Sequence, residues 1–205
     1  FFGPLYGQQI GLSPVATATL VSAAMLGGLI AQFPFGRLSD RIDRRLVMAM
    51  IGGMGALASL AIIVISPSGA VPNMVGTLLI GMALFPSYAI AVAHTNDHAR
   101  ADEFVKVSGG LLITYGIGTM IGPVIGGQLF TALGPVGLFV TLGAVFLLYG
   151  GFAYWRTTQR EALAPDERED FQAIPVTPFQ TPQVYELDPR QDEEESPENR
   201  SGRAA

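Results

Sequence analysis

Long apolar stretches, separated by a few short polar segments, occupy the first 155 residues of the chain. Between Phe1 and Trp155, charged side chains are confined to residues 36–45 and to a second patch from Asp97 to Lys106. A helix rises about 1.5 Å per residue, so about 20 apolar residues cross the hydrocarbon of a bilayer. The pattern predicts five complete membrane spans and one partial span, near residues 1–10 (partial), 15–35, 45–65, 72–93, 105–129 and 135–155.

Turn-forming residues separate these spans and support an all-α membrane protein. GLSP at 11–14, SPSGAVP at 66–72 and LGP at 133–135 place Gly or Pro where a helix stops or restarts. The first apolar piece is too short to cross a bilayer, so we interpret it as the exit end of a longer helix whose first part is missing. The chain opens FFGPLYGQQ, without an initiator methionine or a basic leader, and we therefore expect a fragment.

The amino-acid composition excludes several classes of protein. A soluble domain carries about 25% charged residues spread along every element, which residues 1–155 do not. The chain has no Cys, which excludes disulfides and Cys-ligated metal. Its net charge of −5 comes from the carboxy-terminal tail, and no basic surface interleaved with aromatic residues indicates nucleic acid.

The distribution of Lys and Arg predicts the orientation of the spans. If residues 36–45 lie inside, alternation of the spans also puts 94–104 and the tail inside. All 12 Lys and Arg residues then fall on the inner side, which is a strong positive-inside pattern. We predict a multi-pass protein of the plasma (bacterial inner) membrane with its tail in the cytoplasm.

Residues 156–205 differ in character from the apolar part and form the second predicted domain. APDERED, PVTPFQTP and QDEEESPENR are acidic, Pro-rich and poor in apolar clusters, so they bury too little surface to offset the entropy of ordering. We interpret residues 1–155 as a transmembrane bundle and 156–205 as a disordered cytoplasmic tail. The tail either solvates the protein or docks a partner.

The segment GRLSDRIDRR, residues 36–45, concentrates six charges between two uncharged spans. Gly36 permits a bend just after Pro34, and Asp40 is placed to meet the positive N-terminus of a neighbouring helix. The arginines can pair with nearby carboxylates as an exposed latch whose ion pairs are individually weak. The six charged residues are Arg37, Asp40, Arg41, Asp43, Arg44 and Arg45.

This segment resembles the signature loop of the major facilitator superfamily, G-[RK]-x-[ST]-D-R-x-[GD]-R-[RK], which follows the second helix of a six-helix half. The resemblance implies a six-helix half-bundle, here with its first helix truncated, that gates on the cytoplasmic side and pairs with a missing amino-terminal half. QQIGLSP and VSGGLLITYGIGTMIGP are similar to the carboxy-terminal half of the YcaD-type branch. The matching residues are Gly36, Arg37, Ser39, Asp40, Arg41, Asp43, Arg44 and Arg45.

A second motif, GTMIGPVIGG at 118–127, resembles the fifth-helix pattern of antiporter-type members, which implies efflux. Gly118, Gly122 and Gly126 share one helix face at a spacing that permits close helix approach, and Gly127 completes the pattern. Pro123 removes a backbone hydrogen bond and bends the helix. The motif is either a tightly packed kinked helix or a conformationally active hinge.

The resemblance also implies which helices line a solute cavity, namely the first, second, fourth and fifth of each half. Polar groups within spans tend to face protein or water. The candidate cavity contacts are Gln32, Tyr88, Tyr115 and Thr119, although each is also explained by a hydrogen bond to a neighbouring helix.

Asp, Glu, His, Lys and Arg are absent from the middle of every span, so a proton carrier would lie in the missing half or at the cytoplasmic mouth. His94, Asp97 and His98 are at that mouth, where an ordinary exposed loop is the simpler expectation. The pair of His residues lacks a third ligand, so we expect no metal. No nucleotide-binding or catalytic motif is present, and we expect neither a cofactor nor an enzyme.

Two functions remain. The first is a secondary active transporter that moves a small-molecule solute across the lipid bilayer by alternating access, with proton-coupled efflux. The second is a non-transporting membrane scaffold or sensor that acts through its acidic tail.

Overall fold

A computed structural model describes residues 2–65, 68–97 and 104–159, and within these ranges all regular secondary structure is helical. The chain divides into two units, Phe1–Ile174 and Pro175–Ala205, and the second lies wholly outside the described residues. The predicted all-α architecture is confirmed. The six helices are α1 (Phe2–Gln9), α2 (Pro14–Arg41), α3 (Arg44–Ile65), α4 (Ala70–Asn96), α5 (Phe104–Leu133) and α6 (Val136–Thr157).

Five of these helices, α2 to α6, are long and apolar enough to cross a membrane. The shortest of the five has 22 residues, or about 33 Å of helix, and the hydrocarbon core is about 30 Å thick. Helix α1 has 8 residues and is too short to span. The predicted count of five complete spans and one short helix is therefore confirmed.

Local turn chemistry explains where several helices begin. Ser13 caps the start of α2, because its side-chain oxygen accepts a hydrogen bond from the Ala16 amide at 3.2 Å, and Pro14 is the first helical residue. Gly11, Gly69 and Gly134 adopt φ values of 75°, 86° and 67°, which residues with a side chain rarely adopt. These three glycines lie in the turns that the sequence predicts.

The charged ends of the helices extend beyond the predicted spans. We predicted that α2 ends near residue 35 and that 36–45 is a loop, but α2 continues to Arg41 and only Ile42 and Asp43 link it to α3. The prediction was wrong because a span must end where the apolar run ends, whereas a helix need not. Outside the hydrocarbon, Arg and Leu are good helix formers, and residues 37–41 contain no Pro or Gly that would end the helix.

Two closely packed helix pairs, α2 with α4 and α3 with α6, form most of the bundle, and α3 also packs on α4. In the first pair, a methyl group at Gly27 would overlap the carbonyl of Leu78, and one at Gly81 would overlap that of Ala24. Small residues at such crossings let the two backbones approach closely, which increases the van der Waals contact between the helices. This contact matters in a membrane, because lipid tails are as apolar as the side chains and the hydrophobic effect does not drive the helices together. The buried core between the helices includes Leu20, Val47, Ile51, Ile80, Ala83, Ile90, Phe139 and Phe146.

Helices α1 and α5 pack less extensively against the rest of the bundle than the other four helices do. The Tyr6 hydroxyl of α1 donates to the Asn73 side-chain oxygen of α4. The Tyr6 ring also makes an edge contact with Phe139 of α6, at 4.8 Å between ring centroids. Helix α5 packs mainly on α6, and only 6% of its apolar membrane-spanning stretch is buried. One membrane helix therefore presents most of its surface outward.

The α3–α6 crossing predicts a sharp difference between two adjacent glycines. A methyl group at Gly52 would lie 2.5 Å from the Gly150 Cα atom, whereas one at Gly53 would meet nothing within 4 Å. We expect Gly52→Ala to lower the free energy of unfolding by about 1–3 kcal/mol, because the two backbones must separate. The measurement is thermal unfolding of the detergent-solubilised protein.

Gly53→Ala is the matched control for this substitution, since it adds the same methyl group to the same helix in open space. We expect its stability to stay within about 0.5 kcal/mol of the parent protein. Equal melting temperatures for the two variants would contradict close packing at the α3–α6 crossing.

Candidate functional site

The charged segment 36–45 forms the end of α2, a two-residue link and the start of α3. Ser39 is fully buried on α2, and its hydroxyl donates to the carbonyl of Gly36 at 2.7 Å. Gly36 is also buried within the continuous helix, one turn before the end of α2. The segment is therefore a folded element of the bundle, and its charges project from helical positions.

Arg44, the first residue of α3, is buried together with Asp97 at the end of α4. The Nε atom of Arg44 lies 2.9 Å from Oδ2 of Asp97, and the two side chains are only 1% and 2% exposed. The expectation that Asp97 sits in an ordinary exposed loop was wrong, and so was the expectation that the ion pairs of the latch are exposed. A buried charge is tolerated only when it is paired, so this contact holds α3 and α4 in register.

Asp40 joins the same group from α2. Its Oδ1 atom lies 3.9 Å from Nη2 of Arg44, and its side chain is 33% exposed. Arg44 therefore faces one carboxylate that is shielded from water and one that is partly solvated. The charged group links the ends of α2, α3 and α4.

Asp43 occupies the N-terminus of α3, the kind of place that we expected for Asp40. Its Oδ1 accepts the backbone N–H of Arg45 at 2.9 Å, and a carboxylate is favoured there by the partial positive charge of the helix end. Asp43 also pairs with the Arg45 guanidinium, at 2.7 Å between Nη2 and Oδ2. This second ion pair is largely buried, with the side chains 9% and 15% exposed.

Arg45 also fastens a distant helix. Its Nη1 atom donates to the carbonyl of Arg156 at 2.9 Å, near the end of α6. The last carbonyls of a helix have no hydrogen-bond donor within that helix, and this end of the helix carries a partial negative charge. A guanidinium group there donates the missing hydrogen bond and is attracted by that charge. The end of α6 therefore lies beside the charged segment.

The two remaining arginines of the segment, Arg37 and Arg41, are exposed on α2. The guanidinium carbon of Arg37 lies 3.7 Å from the ring centroid of Phe33, one turn earlier, which is the distance of a cation–π contact. Within the described residues, no carboxylate lies within ion-pair distance of either arginine. The segment thus has two buried arginines in ion pairs, and two exposed arginines that pair with no carboxylate in the described part of the chain.

The glycine motif of α5 faces two different surroundings. A methyl group at Gly118 or Gly122 would meet no atom of the chain within 4 Å, whereas one at Gly126 would lie 3.2 Å from the ring of Phe2. At Gly127 the same ring is 3.6 Å away, and Pro123 stays within the helix. Among the described residues this face meets the Phe2 ring of α1 at one end and is open at the other, so the close helix approach expected for it stays a prediction.

Of the four candidate cavity residues, the structure brings two into contact. Tyr88 of α4 and Tyr115 of α5 meet edge to face, with 5.7 Å between ring centroids, and are 39% and 38% exposed. Thr119 lies one turn further along α5, exposed, and its hydroxyl donates to the carbonyl of Gly116 at 2.8 Å. Gln32 is half-buried on α2, and none of the described contacts joins it to the tyrosines.

His94 is half-buried in the last turn of α4, and His98 lies outside the described residues. Within the described ranges, no group of three His, Cys, Asp or Glu side chains could hold a metal ion. Sequence reasoning missed the partnership of Asp97 with Arg44 and that of Arg45 with the end of α6. The available signal was the position of Asp97, the first acid after a charge-free span.

Comparison with known proteins identifies the family. The sequence profile of the Major Facilitator Superfamily matches residues 1–190, so the chain belongs to that superfamily. No solved structure matches the chain.

Three curated relatives illustrate the similarity. An uncharacterized MFS-type transporter of Yersinia pestis (strain Pestoides F) is 30% identical over 146 residues, which are 71% of this chain and 37% of that protein. The uncharacterized MFS-type transporter YfkF of Bacillus subtilis is 32% identical over 152 residues, 70% of this chain and 37% of its own length. The uncharacterized MFS-type transporter YcaD of Escherichia fergusonii is 26% identical over 149 residues, 71% of this chain and 37% of its own length.

These findings confirm the predicted resemblance, including the likeness to YcaD. With five apolar helices, they indicate an integral multi-pass membrane protein, and they do not favour the scaffold hypothesis. The chain spans only 37% of the length of these relatives.

The burial of Arg44 predicts that it contributes much more to stability than Arg41. Arg44→Gln removes the ion pair with the buried carboxylate of Asp97, and we expect the free energy of unfolding to fall by about 3–5 kcal/mol. Arg41→Gln, at an exposed position of the same segment, is expected to change it by no more than about 0.5 kcal/mol. Thermal unfolding in detergent measures both, and a similar loss for both variants would contradict a buried ion pair.

Proposed function

We propose that this chain is part of a secondary active transporter that moves a small solute by alternating access. The observation that carries the proposal is the superfamily match over residues 1–190, and the relatives are named MFS-type transporters. Alternating access requires two six-helix units that rock about a site near the middle of the membrane. This chain would supply the carboxy-terminal unit, and an amino-terminal unit would be its partner.

The exposed surface of α5 supports a partner unit. Gly118 and Gly122 are open, and Met120 and Ile121 beside them are 76% and 52% exposed. A helix with small residues along one face can receive a second helix closely. We propose that the second unit packs against this face, with Pro123 as the point where α5 bends when the units rock.

The charged segment would act as the gate on the cytoplasmic side. We place residues 36–45 and the tail in the cytoplasm of a bacterium, because all 12 Lys and Arg residues then lie on the inner side. The ion pairs of Arg44 and Arg45 would hold the inner ends of α2, α3, α4 and α6 together. The exposed arginines Arg37 and Arg41 would meet the partner unit when the inner side is closed.

Proton-coupled efflux is the direction that we propose. The resemblance of residues 118–127 to the antiporter pattern supports export. No Asp, Glu, His, Lys or Arg lies mid-span in the described helices, so the proton carrier would belong to the partner unit or to the cytoplasmic mouth near His94 and Asp97. Because Asp97 forms a buried ion pair with Arg44, we propose that the proton carrier lies in the partner unit.

Asp40→Asn tests the gate. We expect the initial rate of solute transport to fall about fivefold, because losing the charge of Asp40 shifts the closed state by about 1 kcal/mol. The measurement is uptake of a solute panel by inverted membrane vesicles that contain the whole transporter, with a pH-sensitive dye to follow protons. Gln159→Ala, an exposed change near the same end of the bundle, is the control. Equal rates for the two variants at equal membrane abundance would rule out this role of Asp40.

The tyrosine pair tests the cavity. We expect Tyr115→Ala to raise the KM for a transported solute about tenfold, since an aromatic contact contributes about 1 kcal/mol or more beyond its area. Tyr154→Ala is the matched control, because Tyr154 is 62% exposed on α6 and none of the described ring contacts joins it to the tyrosine pair. A KM that responds equally to both substitutions would place the solute elsewhere.

A further inference from the structure

The exposed arginines Arg37 and Arg41 form a cationic patch on α2 that the described bundle does not neutralise. The carboxylates Asp40, Asp43 and Asp97 at this end are engaged with the buried arginines Arg44 and Arg45. The patch is therefore open to an anionic group from outside the described residues.

An acidic segment of the same chain begins close to this patch. Arg45 holds the carbonyl of Arg156 at 2.9 Å, so the chain that follows α6 starts beside the charged segment. The sequence of residues 161–170, EALAPDERED, contains five acids and one arginine. We propose that residues 161–170 dock on Arg37 and Arg41 as an intramolecular anionic ligand.

Chain length permits the contact. From Thr157 to Asp166 the chain can extend by up to about 30 Å, at about 3.3 Å per residue. Arg41 and Arg45 are four residues apart, so their Cα atoms lie within about 15 Å of each other. Because the acidic segment is tethered to the bundle, its effective concentration at the arginines is on the order of millimolar. At this concentration the segment can occupy the site even though each exposed ion pair is weak.

The docked segment would compete with any other acidic surface that approaches Arg37 and Arg41. It would therefore adjust the opening of the gate from within the chain, with a strength that falls as salt rises. The contact is independent of transport, so it can be tested whether or not a solute is known.

Site-specific photocrosslinking tests the contact in the whole protein, in bilayers. A benzophenone amino acid replaces Phe171, directly after the acidic segment, and crosslinked peptides are identified by mass spectrometry. We expect the main intramolecular product to contain residues 33–45. Its yield is expected to fall about tenfold in about 0.5 M salt. We expect the same fall in the variant with Glu167→Gln, Glu169→Gln and Asp170→Asn, in which no residue of the bundle is substituted.

Variants of the bundle complete the test. Arg37→Gln combined with Arg41→Gln is expected to lower the yield about tenfold, whereas Lys106→Gln, an exposed cation on α5, leaves it unchanged. Replacing both arginines by Glu and also changing Glu167 and Glu169 to Arg is expected to restore the product. Crosslinks mainly to lipid, to a second copy or to the end of α5, or a yield insensitive to these charges, would overturn the proposal.

Discussion

Hydrocarbon offers the backbone no hydrogen-bond partner, and this constraint determines most of the architecture. Each segment that crosses the membrane must satisfy its own N–H and C=O groups, and a helix does so within one segment. Charges are excluded from the same region, which leaves them at the helix ends. The clustering of Arg44, Arg45, Asp40, Asp43 and Asp97 at one end of the bundle follows from this exclusion.

At that end, the charges meet a second constraint, because the helix ends pack against one another and water is excluded. Arg44 and Asp97 are almost completely buried, so each requires the other. Arg45 is held between Asp43 and the carbonyl of Arg156, and it connects the start of α3 to the end of α6. Breaking a buried ion pair costs much more free energy than breaking an exposed one, so this group is either fully paired or fully separated. Two distinct states of this kind suit a gate better than a set of exposed ion pairs would.

Within the bundle, glycine decides which helices pair. Lipid tails are as apolar as the side chains, so helices associate through close contact rather than through the removal of water. Gly27 and Gly81 allow α2 to meet α4, and Gly52 and Gly150 allow α3 to meet α6. The open glycines of α5 show the same property on a surface that the described residues leave uncovered, which is why we assign that surface to a partner unit.

The sequence by itself determined the number of spans, the turns at Gly11, Gly69 and Gly134, the superfamily and the segment that carries the charges. These features depend on local composition, because hydropathy and turn chemistry act over about 20 residues or fewer. The sequence did not determine the helical ends of the charged segment, since the end of an apolar run does not end a helix.

Only the tertiary structure decided which charges are buried and paired. Arg44 and Arg41 are both arginines of one short segment, yet Arg44 faces Asp97 of α4 and Arg41 faces outward. Likewise, Tyr88 and Tyr115 meet because α4 and α5 are neighbours at that level. Such contacts depend on how helices distant in sequence rotate and cross, and the periodicity of any single helix does not contain that information.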